Sequence, residues 1–119
     1  MEPPRWRELE DFFENGSVPM HWVGADGTIL RPNRAELELL GYERDEYVGR
    51  HLADFHVDAG AVADILTRLG RHEIIRDYDA RLRCKDGSVK HVVIDASVFW
   101  DEGRFLLAGG VSRDVTRRR

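Results

Sequence analysis

Tyr78-Asp79-Ala80-Arg81-Leu82-Arg83-Cys84-Lys85-Asp86-Gly87-Ser88-Val89-Lys90-His91-Val92-Val93-Ile94-Asp95-Ala96-Ser97-Val98 is the stretch on which the fold turns. Tyr78, Ala80, Leu82 and Cys84 alternate with Asp79, Arg81 and Arg83, which is the period of a strand with one covered face. Asp86-Gly87 tolerates the positive backbone angles of a tight turn. Val92, Ile94, Ala96 and Val98 then alternate with His91, Asp95 and Ser97, and Val93 alone interrupts the polar side. A further turn, Asp101-Glu102-Gly103, leads into a third β-like run from Phe105 to Val115. Strands joined by such tight turns are antiparallel.

Upstream the period changes. Met20-His21-Trp22-Val23 and Thr28-Ile29-Leu30 flank a third turn dipeptide, Asp26-Gly27, and predict another hairpin. Asn33 is placed to cap a helix containing Ala35, Leu37, Leu39 and Leu40, with Glu36 at the capping-box position and Gly41 as its stop. Glu43 to Val48 offers one more turn before Gly49. Ala59 to Leu69 reads as a helix with Val62, Ile65, Leu66 and Leu69 on one face, and Gly70 is its expected C-terminal cap. Behind Pro3-Pro4, Arg5 to Glu14 spaces Trp6, Leu9, Phe12 and Phe13 as an amphipathic helix, ended by Asn15-Gly16-Ser17. The long helical passage between the two strand groups must cross a sheet face to return. One antiparallel sheet with helices gathered on one side, an α+β fold, is the economical arrangement.

The whole chain sets the limits. At 119 residues it holds one domain. A formal charge of −4 gives no global attraction to nucleic acid or anionic lipid, although Arg117, Arg118 and Arg119 form a local basic end. Cys84 is the single cysteine, so no internal disulfide and no cysteine-cluster zinc site can form, which fits a reducing, cytoplasmic compartment. No apolar run approaches a membrane span and no signal-peptide core follows Met1, so direct membrane insertion is not expected.

Asp26-Gly27-Thr28-Ile29-Leu30, Asn33-Arg34-Ala35, Leu39-Leu40-Gly41-Tyr42 and Glu46-Tyr47-Val48-Gly49 together resemble the first half of a PAS domain. Arg83-Cys84-Lys85-Asp86-Gly87-Ser88 is similar to that family's central hairpin, and Arg113-Asp114-Val115-Thr116 to its closing signature. The resemblance runs from about Phe12 to Thr116. It implies a five-stranded antiparallel sheet of order 2-1-5-4-3, helices enclosing a pocket on one face, and an N-terminal helix. In domain terms, residues 1–16 are that cap or dimerisation helix, 17–116 the core and 117–119 the start of a linker.

The function implied is sensing and signal relay in a bacterial signalling protein, without chemistry of its own. An effector, a sensor histidine kinase or a cyclic-dinucleotide enzyme, is expected C-terminal to Arg119, with Asp114 and Thr116 as the output point. Trp22, Leu40, Tyr78, Leu82, Ile94, Ala108, Gly110 and Ser112 are the candidate pocket residues. The resemblance puts Leu106 on the same side as Ala108. These small side chains leave room for a ligand or for a closely packed helix. Trp6, Leu9, Phe12 and Phe13 exceed what one helix needs against its own sheet, and the family's habit of pairing through such helices predicts a homodimer there.

Cofactors are not expected. Among the five histidines, His21, His51, His56, His72 and His91, no pair has metal spacing on one helix face, so no metal site is predicted. Heme-binding relatives place a histidine on the longest helix, and Ala59 to Leu69 has none. The family's flavin-binding light sensors carry a cysteine in an Asn-Cys-Arg motif, where this chain has Arg34-Ala35-Glu36. A noncovalent flavin or another small molecule stays open. Cys84 alternates with apolar neighbours and reads as a buried small hydrophobe, with a redox thiol as the alternative. Trp100 is either a dimer contact or a cover for the sheet.

Three rival readings remain: a small pocket enzyme with Asp95 or His91 as general base, a purely structural dimerisation module, and nucleic-acid binding through Arg117 to Arg119. The first places its base on the polar strand face. Two residues depart from the family pattern. Pro32 stands where an apolar or aromatic residue is usual, and Glu43 where serine or threonine caps the next turn, which predicts a looser segment.

Overall fold

The computed structural model describes residues 5–116. The expectations placed on Pro3-Pro4 and on Arg117, Arg118 and Arg119 lie outside the described residues. Helix α1 spans Arg5–Asn15, and strands β1 (Met20–Val23) and β2 (Ile29–Pro32) form the first hairpin. Helices α2 (Arg34–Leu40) and α3 (Arg44–Tyr47), a 3-10 turn (Leu52–Asp54) and helix α4 (Ala59–Gly70) follow. Strands β3 (Ile75–Arg83), β4 (Val89–Asp101) and β5 (Arg104–Asp114) close the chain. The sheet has the expected order β2-β1-β5-β4-β3, with every pair antiparallel. Among the described residues no helix is long and apolar enough to cross a membrane.

Local chemistry explains the element boundaries. Asn33 is buried and its Oδ1 accepts from the N–H groups of Glu36 and Met20, each at 3.0 Å, while its Nδ2 donates to the Val18 carbonyl. The side chain therefore caps α2 and ties it to β1. Its own N–H donates to the Met20 carbonyl, so the capping box expected of Glu36 does not form and that carboxylate is free to turn inward. Gly27 has φ 88°, and a Cβ there would meet His51 Nε2 at 2.6 Å, so only glycine serves. Pro32 sits in β2 at the sheet edge, where its missing N–H leaves no central ladder bond unmade.

Several local expectations need correction. Gly70 is not the cap of α4; the helix continues through it, and His72 takes the left-handed conformation at φ 68°. His72 stacks on Trp100 at 3.9 Å, and Phe105 packs edge-on to the same indole, so Trp100 covers the sheet end within its own chain. A register shift at Phe99/Trp100 turns Phe105 toward the core and leaves Leu106 exposed, which breaks the alternation expected to put Leu106 beside Ala108. The segment after Glu43 is held, not loose, because the Glu46 carboxylate accepts from the Glu43 N–H at 2.8 Å and from Lys85 Nζ.

The core lies between α2, α3, α4 and one face of the sheet, where Val62, Ile65 and Leu69 meet Ile75, Val92 and Ile94. Cys84 is buried there with its Sγ toward the Leu39 carbonyl, as its alternation predicts. Helix α1 reaches the other face. Phe13 is buried with its ring 4.8 Å from that of Trp22, and the Arg31 guanidinium lies over both rings. Phe13, expected at a dimer contact, is thus occupied within its own chain, whereas Trp6, Leu9 and Phe12 are 56%, 69% and 74% exposed.

Candidate ligand cavity and its buried polar cluster

Strand alternation decides which side chains of β1 face inward. His21 and Val23 point to the helices, and Trp22 points with Arg31 to the opposite face. Trp22 is therefore not a pocket residue, contrary to expectation. Inside, a cavity of about 20 Å³ is bounded by His21 and Val23 from β1, Leu52 and His56 around the 3-10 turn, and Ile65, Leu66 and Leu69 from α4. Ile94, Ala96, Ala108 and Gly110 form its floor. Gly110 matters sterically, because a Cβ there would stand 3.3 Å from the His21 ring.

Of the expected pocket residues, Ile94, Ala108 and Gly110 share this cavity. Leu40 and Leu82 are buried in the core beyond its walls, and Ser112 is fully buried with no hydrogen-bond partner for its Oγ. Tyr78 lies under α4, with its hydroxyl donating to Asp64 at 3.0 Å. The two residues expected at the output point, Asp114 and Thr116, form a compact knot. Thr116 Oγ1 donates to Asp114 at 2.6 Å and accepts from the His91 N–H at 3.0 Å, which fastens the end of β5 to β4. Asp95 accepts from the N–H of Asp77 in a bulge of β3. Neither Asp95 nor His91 lines the cavity, so an enzyme reading based on them has no enclosed site.

What sequence reasoning missed is a buried polar cluster beside the cavity. The Tyr47 hydroxyl donates to Glu36 Oε2 at 2.6 Å, and His21 Nδ1 lies 3.3 Å from the same oxygen, outside hydrogen-bond geometry. Glu36 is fully buried and its Oε1 has no partner; His56, 7% exposed, has none for its Nδ1. Burial raises the Glu36 carboxyl, but the close approach of the His21 ring, the hydroxyl of Tyr47 and the more distant His56 outweigh it and hold it below its ordinary 4.5. Burial, followed by the Glu36 charge, pushes the Tyr47 phenol well above 10. Burial and the nearby His21 lower His56 from 6.5 to about 4, against the pull of Glu36 and Asp58, so its ring is neutral at pH 7.

Two of these residues were legible. Glu36 precedes Leu40 by four on a helix, and His21 precedes Val23 by two on a strand, so both share a face with buried neighbours. His56 sits in irregular chain and carries no such period. Among the described residues no group of three or more His, Cys, Asp or Glu side chains is arranged to hold a metal ion.

A family model described as PAS fold matches residues 13–119. No curated protein matches the chain. Among solved structures, the PAS domain of an HTR-like protein from Haloarcula marismortui is similar at 29% identity and a TM-score of 0.81, over 93% of this chain and 92% of that one. A domain of a sensory box sensor histidine kinase/response regulator from Geobacter sulfurreducens shares 24% identity with a TM-score of 0.80, over 92% and 94%. The PAS domain of a protein from Colwellia psychrerythraea superposes at 0.86 over 97% and 100%, with 18% identity.

Proposed function

The chain belongs to the PAS fold family, and from that premise we propose that it relays a signal from its inner cavity to an attached effector, such as a histidine kinase, in the cytoplasm. One observation carries this reading: β5 lies centrally in the sheet, supplies Ala108 and Gly110 to the cavity floor, and ends in the Asp114–Thr116–His91 knot. A change in the cavity acts on the same strand that leaves the domain. Such coupling needs a ligand or partner that favours one of two states of that strand. In the longer parent, Asp114→Ala releases Thr116 and is expected to uncouple effector output from stimulus while the domain stays folded. Unchanged regulation in a folded variant would sink the proposal.

Trp6, Leu9 and Phe12 form an exposed apolar stripe on α1, which supports a homodimer through that helix. Replacing Trp6 and Phe12 together by alanine is expected to shift the sedimentation coefficient to that of a monomer. An enzyme role is not proposed. The cavity also bears on cofactors, since ligand pockets for molecules of flavin size run to roughly 300 Å³ or more. A space of about 20 Å³ does not accept one in this conformation.

A further inference from the structure

Buried polar atoms in folded proteins are nearly always paired, with other protein groups or with ordered water. The cavity beside β1 has two polar side chains on its wall, His21 and His56, among aliphatic neighbours and Gly110, and each of the two keeps a buried Nδ1 without a hydrogen-bond partner. The His21 ring stands between Glu36 and the chamber. Its Nδ1 lies 3.3 Å from Glu36 Oε2, while a Cβ on Gly110, in the cavity floor, would stand 3.4 Å from its Nε2. The Nε2 edge of the ring therefore reaches the floor of the chamber.

We propose that the cavity is a binding site for one ordered water molecule, hydrogen-bonded to His21 Nε2 and to the imidazole of His56. Size sets the first limit: a void of about 20 Å³ holds one water, which needs roughly 10–15 Å³, and little more. Chemistry sets the second. A bare ion of either sign would lose its hydration against Val23, Ile65 and Leu69, and an apolar gas atom would leave both imidazoles unpaired. Cavities that stay dry are apolar on every side, and this one is not. Water donates and accepts, so it serves either tautomer of each ring. His21 stands opposite Gly110 of β5 in the sheet, and His56 bridges to Leu82 of β3, so the water joins the central strands to the chain that borders the sheet edge.

The test uses the 119-residue chain labelled at its methyl groups, with water–methyl cross-relaxation read by NMR and xenon as the probe of a dry space. The expected result is a long-lived water at Val23, Ile94 and Ala108, none at Val92, and no saturable xenon shifts. Xenon binding without water cross-peaks would overturn the proposal. Ala108→Val fills the chamber and is expected to abolish the cross-peaks at Val23 and Ile94 while both histidines remain; cross-peaks that persist in the folded variant would trace to exchanging imidazole protons and overturn the site. His56→Leu leaves the water a single side-chain partner and is expected to lower its occupancy about tenfold, the scale of one lost hydrogen bond. Unchanged occupancy there would break the proposed bridge. The wild-type measurement decides the matter even if a variant fails to fold. A dry cavity would leave the relay reading intact, since Asp114→Ala tests that separately.

Discussion

The covered face of the sheet has two ends built differently. Beneath α4, Val62, Ile65 and Leu69 share one cluster with Ile75, Val92 and Ile94, all of them aliphatic. Beside β1 and α2 the same face buries Glu36, Tyr47, His21 and His56. The first end is held by area removed from water, which is indifferent to pH and to direction. The second is held only while charges and hydrogen bonds stay matched, and a buried group without its partner is costly. The difference teaches that one core can supply stability at one end and chemical sensitivity at the other.

The largest expected effect falls at the aliphatic end. Leu69→Ala should cost about 3–4 kcal/mol through lost contacts and the cavity left behind, measured by denaturant unfolding. Its cost should be equal at pH 5 and pH 8; a cost that changed with pH would break the comparison.

Next comes acidification. His56 binds its proton less readily folded, at about 4, than unfolded, at 6.5, so its contribution is complete above 6.5 and is lost as pH falls toward 4. The loss is roughly 3 kcal/mol over that window. Glu36, whose carboxyl is also held low, adds in the same direction as pH falls through its own range. In His56→Leu, the loss between 6.5 and 4 should shrink by the histidine's share, and an unchanged acid limb would move the sensitivity elsewhere.

The smallest effect sharpens the polar end. Tyr47→Phe removes the hydroxyl that donates to Glu36 at 2.6 Å, and should cost roughly 2 kcal/mol at neutral pH in the same unfolding assay. A neutral substitution would mean that His21 alone suffices for the carboxylate.

Much of this was readable from the chain before any coordinates. The turns at Asp26-Gly27, Asp86-Gly87 and Glu102-Gly103 place glycine at φ of 88°, 89° and 78°, and the strands about Asp86-Gly87 keep the predicted alternation, with Ala80, Leu82, Val92 and Ile94 buried. Less of the site was readable. Trp22 is large and adjacent to His21, which marks it as a pocket candidate, yet a strand sends neighbours to opposite faces. Leu106 obeyed the alternation on paper and lost it to a register shift that no local pattern announces.

What the sequence by itself determined is the architecture, since turn chemistry and hydrophobic period act within a few residues of chain and need no partner to be read. Only the tertiary structure decided that Glu36 and Tyr47, eleven residues apart, share a proton-donating contact, and that His21 and His56 border one chamber. Those meetings depend on how β1, α2, α3 and the chain after the 3-10 turn converge. Convergence is a property of packing, in which the partner of each buried polar atom comes from another element and leaves no mark in the residues beside it.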